Sequence, residues 1–395
     1  MSRTQLLLKQ ARLSSIPQGW NISQIGKSCS IRNDLRKPIS VDERSTIKGD
    51  YPYYGPTGIL DYIDEYLIDG EFALIGEDGD HFLKPQEKSQ TIYVKGRFNA
   101  NNHAHVIAST QACSAHWFAI FFKHRNITDF LSRQGANRYK LNKATLEKLP
   151  ILLPPPPEQK AIADLLSTWD EAIEKTERLI QAKEASLKGQ IQKLISQRCD
   201  SWPHVKPKKI FDTITEKNFP EEELLSVTQD RGVIPRSMLE GRVMSPDGTT
   251  ASYKLIKRGD FAISLRSFQG GIEYSNYQGI ISPAYTVLRP KIELNRDFYR
   301  LFFKSYIFIK KYLNLAVIGI RDGKQISIPD FLSIKIPVPP IEEQKEIAET
   351  LSVCQHEINL LKQLADKYKT QKRGLMQKML TGEWRVKPEV VNQYE

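Results

Sequence analysis

Cysteine is scarce in this chain. Cys29, Cys113, Cys199 and Cys354 are scattered, with no Cys-x-x-Cys pair and no histidine at ligand spacing. Such a pattern argues against a disulfide framework and against a zinc site. Long apolar runs are also missing. The N-terminal stretch offers only Leu6-Leu7-Leu8, far short of the ~20 apolar residues of a membrane span. The expectation is a soluble, cytoplasmic protein with no membrane partner. Catalytic signatures are absent as well. There is no Walker A lysine motif and no Asn/Asp-Pro-Pro-aromatic motif of an amino-methyltransferase, and Gly270-Gly271 is too little glycine for an adenosylmethionine or nucleotide turn. Pro246-Asp247 and Pro329-Asp330 lack the downstream acidic-x-Lys partner of a nuclease carboxylate. His103 and His105 alternate, which suits packing or polar contacts better than metal ligation. The chain reads as a binding protein with no catalytic residue, metal or cofactor of its own.

What is present is a repeat. Pro154-Pro155-Pro156-Pro157-Glu158-Gln159-Lys160 returns, 185 residues later, as Pro339-Pro340-Ile341-Glu342-Glu343-Gln344-Lys345, and the match runs without a gap to about Ile195. Self-similarity of this kind implies two halves, each a globular segment followed by a long helix, related by a pseudo-two-fold axis. Within the repeat, apolar positions step by four and three. The first copy has Ile162, Leu166, Trp169, Ile173, Thr176, Ile180, Lys183, Leu187, Ile191 and Leu194. The second has Ile347, Leu351, Cys354, Ile358, Leu361, Ala365, Tyr368, Lys372, Leu375 and Met379. A 3.5-residue step is the seam of a coiled coil. A two-fold axis makes the two helices antiparallel. The alternative is that each helix packs on its own globular domain. Prolines sit before the starts, and Glu158 and Glu342/Glu343 fall in the first turns, where carboxylates suit the helix dipole.

The net charge of +11 is unevenly spread: residues 1–150 carry +5 and 199–335 carry +6, while 151–198 and 336–395 are neutral. A basic excess on two similar modules points to a polyanion met at two places. Both modules mix short strands, such as 72–75, 91–94, 261–264 and 285–288, with aromatic helical stretches at 116–123 and 297–313. This predicts a mixed α/β or α+β fold in each. Several loops combine aromatic, amide and basic residues with glycine. The candidate DNA contacts on them are Tyr53, Tyr54, Thr57, Asn101, Asn102, His103, Arg138 and Lys140 in the first module. In the second they are Arg266, Ser267, Gln269, Arg321, Lys324 and Gln325. Arginine suits guanine edges, amides suit adenine edges, and lysine suits phosphates. An ordinary solvated loop is the competing reading for any one of them.

The repeated Pro-Pro-x-x-Glu-Gln-Lys helix, Tyr51–Tyr62 with Gly76-Glu77-Asp78-Gly79, Asn101–Val106 and Ser282–Leu288 resemble type I restriction–modification specificity subunits over nearly the whole chain. The resemblance implies target recognition domains at 1–152 and 199–336, conserved helical regions at 153–198 and 337–383, and a C-terminal tail at 384–395. It implies an antiparallel coiled coil acting as a spacer, and binding of double-stranded DNA at a bipartite, asymmetric site. It further implies partners that do the chemistry: two adenine-N6 methyltransferase subunits using S-adenosylmethionine, and translocase/nuclease restriction subunits using ATP and Mg. The rival reading is a coiled-coil adaptor with two protein-binding modules and no DNA readout. Lys183 and Lys372, charged residues at inward positions of the heptad, depart from an apolar seam.

Overall fold

The chain divides into two compact units, residues 1–175 with 365–395, and residues 176–364. The computed structural model describes residues 3–85, 87–133, 139–239, 250–265, 270–319 and 325–395. The division differs from the boundaries read in the sequence. It cuts through both long helices, and it joins the C-terminal tail to the first unit.

In the first unit a six-stranded sheet is built from β1 (Ser30–Ile31), β2 (Lys48–Tyr54), β3 (Ile59–Ile63), β4 (Ile68–Gly76), β5 (Thr91–Ala100) and β6 (Ala104–Ala108). The strand order is β1-β6-β4-β5-β2-β3, so β3 is an edge. All pairings are antiparallel except β2 with β5. Gly70 pairs with Gly96, and both have positive φ (135° and 97°), which bends the β4–β5 ribbon. The bend is required. Ala104 pairs with Gly76, at the far end of β4 from Ile68, which pairs with Phe98. Only a curled ribbon lets the short 101–103 connection join β5 to β6.

Helix α1 (Ala115–Phe122) is apolar all round and is buried accordingly. Its Ser114 cap accepts from the Trp117 amide at 3.0 Å, and Trp117 Nε1 donates to the Leu152 carbonyl at 2.9 Å. The core gathers Ile75, Ile107, Phe118, Phe121, Ile151 and Leu166 with Met376 and Met379. Each such aromatic or branched side chain contributes about 1.5–3 kcal/mol on burial.

The repeated Glu-Gln has a structural meaning that its first-turn position does not reveal. Helix α2 runs Pro156–Ile191. Gln159 is fully buried. It accepts from the Ser114 amide at 2.9 Å and donates to the Ala112 and Pro154 carbonyls at 2.8 and 2.9 Å. It thereby ties the start of α2 to the cap of α1. Glu158 is buried too. Arg385 grips both of its oxygens, at 2.5 and 2.6 Å, and Trp20 Nε1 donates to it at 2.9 Å. Arg385 belongs to the tail, which also packs Val386 on the core and sets Tyr394 over Lys160 at 5.3 Å. The tail is thus part of the first unit rather than an appendage.

The second unit repeats this arrangement. A four-stranded antiparallel sheet is made of β7 (Phe211–Ile214), β8 (Phe261–Ser264), β9 (Glu273–Tyr274) and β10 (Tyr285–Pro290), in the order β7-β10-β8-β9. Helix α3 (Arg296–Phe302) is capped by Asn295, and its Phe298, Tyr299 and Phe302 are buried. The single helix expected over 297–313 is interrupted. Ser305 Oγ donates to the Phe302 carbonyl at 2.6 Å and accepts from the Phe308 amide at 3.3 Å, taking groups an α-helix would use. A wide π-type turn follows at Phe308–Tyr312. Helix α4 spans Ile341–Met379. Gln344 accepts from the Asn295 amide at 2.9 Å and donates to the Pro339 carbonyl at 2.8 Å, and Glu343 pairs with Arg198. Glutamine to helix cap and glutamate to arginine recur in both units.

The helix segments within each unit pair antiparallel. In the first, Trp169 packs edge-on against Tyr368 at 5.7 Å, and Asp170 binds Lys372. In the second, Lys183 meets Glu357 at 2.8 Å, Glu184 meets Lys362 at 2.6 Å, and Cys354 Sγ reaches Gln190 at 3.2 Å. Ile162, Leu166, Ile180, Leu187, Ile347, Leu351, Ile358 and Met379 are buried, and Trp169, Ile173, Leu361 and Leu375 are half-buried. The two inward lysines each meet a carboxylate of the facing helix. All four cysteines are free thiols.

Candidate nucleic-acid interface

The curled ribbon of the first unit brings three connections together. Asn101 N donates to the Tyr54 carbonyl at 2.9 Å, Glu77 N to the His103 carbonyl at 2.7 Å, and Leu141 N to the Glu77 carbonyl at 2.7 Å. The turn after β2, the loop after β4 and the β5–β6 connection therefore meet the 139–141 segment. At their centre lies Glu77, whose two oxygens take Arg36 at 2.8 Å and Lys140 at 3.2 Å. Burial works against the Glu77 charge, but Arg36 and Lys140 outweigh it and hold the carboxyl below the usual carboxylate range. Arg36 Nη1 also donates to the Asn102 carbonyl at 3.0 Å.

Beside it, His105 is buried. The Leu141 carbonyl, 2.7 Å from Nε2, can only accept, so Nε2 carries the proton and Nδ1 accepts from Asn33 Nδ2 at 2.9 Å. Burial lowers the His105 pKa and favours this neutral form. Above this network Asn102, His103 and Thr57 are exposed. His103 Nδ1 lies 2.9 Å from Asp78 Oδ2. The result is a hydrogen-bonded polar platform with exposed amide, imidazole and hydroxyl groups beside the half-buried Arg36 and Lys140.

The candidate residues separate by placement. Thr57, Asn102 and His103 face solvent, and Tyr54 and Lys140 are half-buried. Tyr54 leans on Phe98, with ring centroids 5.8 Å apart. Tyr53 is buried; its hydroxyl accepts from the Ile39 amide and donates to the Lys37 carbonyl, both at 2.9 Å. Asn101 is buried and its side chain accepts from the His103 amide at 2.9 Å. These two shape the loops from within. Arg36 was missed by sequence reasoning because its partner lies 41 residues away and no local pattern links them. Arg138 lies outside the described residues.

In the second unit Arg266, Ser267, Gln269, Arg321 and Lys324 also lie outside the described residues. The residues flanking them are informative. Ile326 N donates to the Leu265 carbonyl at 2.8 Å, and Lys304 Nζ donates to the Gly270 carbonyl at 2.9 Å and pairs with Glu273. A Cβ on Gly271, at φ 84°, would lie 2.0 Å from the Phe303 carbonyl oxygen, so only glycine fits. Gln325 is exposed and pairs in a short ladder with Ile318. Nearby strands frame a cleft of about 190 Å³ lined by Arg236, Tyr253, Ser282 and Tyr285 among others. Among the described residues, no group of three or more His, Cys, Asp or Glu could hold a metal ion. None of their helices is long and apolar enough to cross a membrane.

Comparison with known proteins places this geometry. The family profile of the type I restriction modification DNA specificity domain matches residues 17–184 and again residues 239–369. The chain belongs to the type I restriction–modification specificity family. It is 26% identical to the type I restriction enzyme MjaVIII specificity subunit of Methanocaldococcus jannaschii over 408 aligned positions, covering 94% of both chains. It is 28% identical to the MjaX specificity subunit of the same organism, over 67% of this chain and 66% of that one. A specificity subunit of Haemophilus influenzae is 36% identical over 35% of this chain and 34% of its own length. The type I S subunit of M. genitalium has the same fold, with a TM-score of 0.61 at 16% identity over 92% of this chain and 97% of that one. Both globular segments of this specificity subunit therefore carry the family's domain, and the repeat noted in the sequence is the family's repeat.

Proposed function

We propose that this specificity subunit binds one bipartite, asymmetric DNA site and directs adenine methylation and restriction carried out by partner subunits. The observation that carries the reading is the double match of the DNA specificity domain, one on each basic segment. The rim of Thr57, Asn102 and His103 supplies donors and acceptors for base edges, and Arg36 and Lys140 supply positive charge for phosphates. S-adenosylmethionine, ATP and Mg belong to the methyltransferase and translocase/nuclease partners. Helix α4 presents Val353, Leu360 and Leu364 outward, an apolar stripe on which a partner helix can pack.

The test is methylation-aware sequencing of DNA from cells expressing the chain with its cognate methyltransferase. One bipartite adenine motif is expected, and the chain alone should neither methylate nor cleave. Asn102→Ala should relax one base of one half-site by roughly 1–3 kcal/mol of discrimination. Absence of salt-dependent duplex binding by the assembly would instead favour an adaptor without DNA readout.

A further inference from the structure

The first unit carries a second surface, beyond the rim of Thr57, Asn102 and His103. Strand β3 forms the edge of the six-stranded sheet, with β2 as its only strand partner among the described residues. Its inner side chain Ile63 packs with Ile39 and Tyr53, while Ile59, Leu60 and Tyr62 are 44%, 51% and 49% exposed. Tyr66 and Leu67 continue the patch at 40% and 51%, and the Tyr66 ring lies tilted against Tyr51, with centroids 4.9 Å apart. Among the described residues of the first 150, eight large apolar side chains are exposed, and six of them lie from Val41 to Leu67. The backbone of this edge is itself blunted: Leu60 is bulged opposite Tyr53 and Tyr54, and the Tyr62 amide donates to Asp61 Oδ1 at 2.9 Å. What the edge offers a partner is its group of exposed apolar side chains.

The charge around this edge selects the occupant. Residues 39–71 hold eight acidic side chains against two basic ones, a net −6 within a segment of net +5. Asp61 is engaged by Arg44 and Lys48, Asp69 by Arg97 and Glu71 by Lys95, whereas Asp50, Asp64 and Glu65 are exposed and carry the acidic character of the rim. Such a rim repels phosphates, and it repels a second copy of itself. We propose that this surface docks a basic, extended polypeptide segment, which lays apolar side chains on Leu60 and Tyr62 and meets Asp64 and Glu65 with lysine or arginine.

The probe is a fluorescent ten-residue peptide alternating valine and lysine, added to the full chain and followed by anisotropy. The same peptide with glutamate in place of lysine is the control. The lysine peptide should bind at least tenfold more tightly, and less so at high salt. Asp64→Lys with Glu65→Lys should weaken it at least tenfold. Leu60→Ser with Tyr62→Ser should do likewise, and the reversal Asp129→Lys, outside the patch, should not. Equal binding of the two peptides, or equal loss from Asp129→Lys, overturns the proposal. So does photo-crosslinking from benzoylphenylalanine at position 62 to DNA in the DNA-bound methyltransferase assembly. The peptide comparison in the unaltered chain does not depend on any variant folding. An unchanged methylation motif in the Asp64/Glu65 variant separates this surface from DNA readout.

Discussion

Gln159 joins a helix to a domain through three hydrogen bonds in a buried site. Leucine has nearly the same volume but would leave the Ser114 amide and two carbonyls without this partner. Each buried, unpaired group costs about 1–3 kcal/mol. Gln159→Leu should therefore lose roughly 2–5 kcal/mol in urea unfolding, and Gln344→Leu, with two bonds, should lose less. Asp170 offers a second residue-scale test. Burial alone would raise its pKa, but Lys123 and Lys372 draw it below the ordinary carboxylate value. A depressed folded pKa stabilises above the unfolded pKa of about 4, and the stabilisation is lost as pH falls through the folded value. The melting temperature of the wild type should exceed that of Asp170→Asn at pH 7, and the gap should close toward pH 3. A gap that does not narrow at all as pH falls below about 4 would mean the contribution is packing rather than charge.

Among the elements, the helices were the most legible in the sequence. Their 3.5-residue period suits an apolar seam, and every heptad position proves buried or half-buried, with Ile162 and Leu166 also packed in the first unit's core. The strands at 72–75, 91–94, 261–264 and 285–288 were legible for the same reason: apolar residues at strand period between turn signals. The break at Ser305 was not, because it depends on which backbone groups one hydroxyl captures. The platform around Glu77 was legible only as separate loops. Arg36, Glu77 and Lys140 meet because paired glycines curl a ribbon, and that is a long-range consequence of φ at Gly70 and Gly96. Leu166 tests the seam directly. It is 1% exposed and sits in the first unit's core. Leu166→Ala should cost about 2–5 kcal/mol. The half-buried Ile173→Ala should cost clearly less. Equal costs would place both positions outside a common seam.

At the scale of the whole molecule, the proposed function gives the helices a part in what an assembly would read on DNA. Under the proposed function, Leu360→Asp, on the outer stripe of α4, should leave the chain folded by circular dichroism but abolish co-purification with the methyltransferase. Unchanged co-purification would move the partner to another face. A second test concerns spacing. Lys183 faces Glu357 and Glu184 faces Lys362, so matched insertions after Ala182 and after Leu361 lengthen both helices at one level. Seven residues add about 10.5 Å of rise and nearly restore the heptad face, whereas four rotate the following seam by roughly 40°. Successive base pairs lie about 3.4 Å apart, so a tolerated seven-residue pair can lengthen the unspecified spacer by up to ~3 base pairs. The gain is smaller if the helices lie oblique to the duplex. The half-site bases should stay the same, because no loop of either recognition domain is altered. Four-residue pairs should lose activity, since Ile180 and Leu187 could no longer share one face. Motif sequencing of active variants decides the matter. Altered half-site bases with an unchanged spacer would show that helix length does not set the distance read on DNA, and that the seam serves only to hold each unit together.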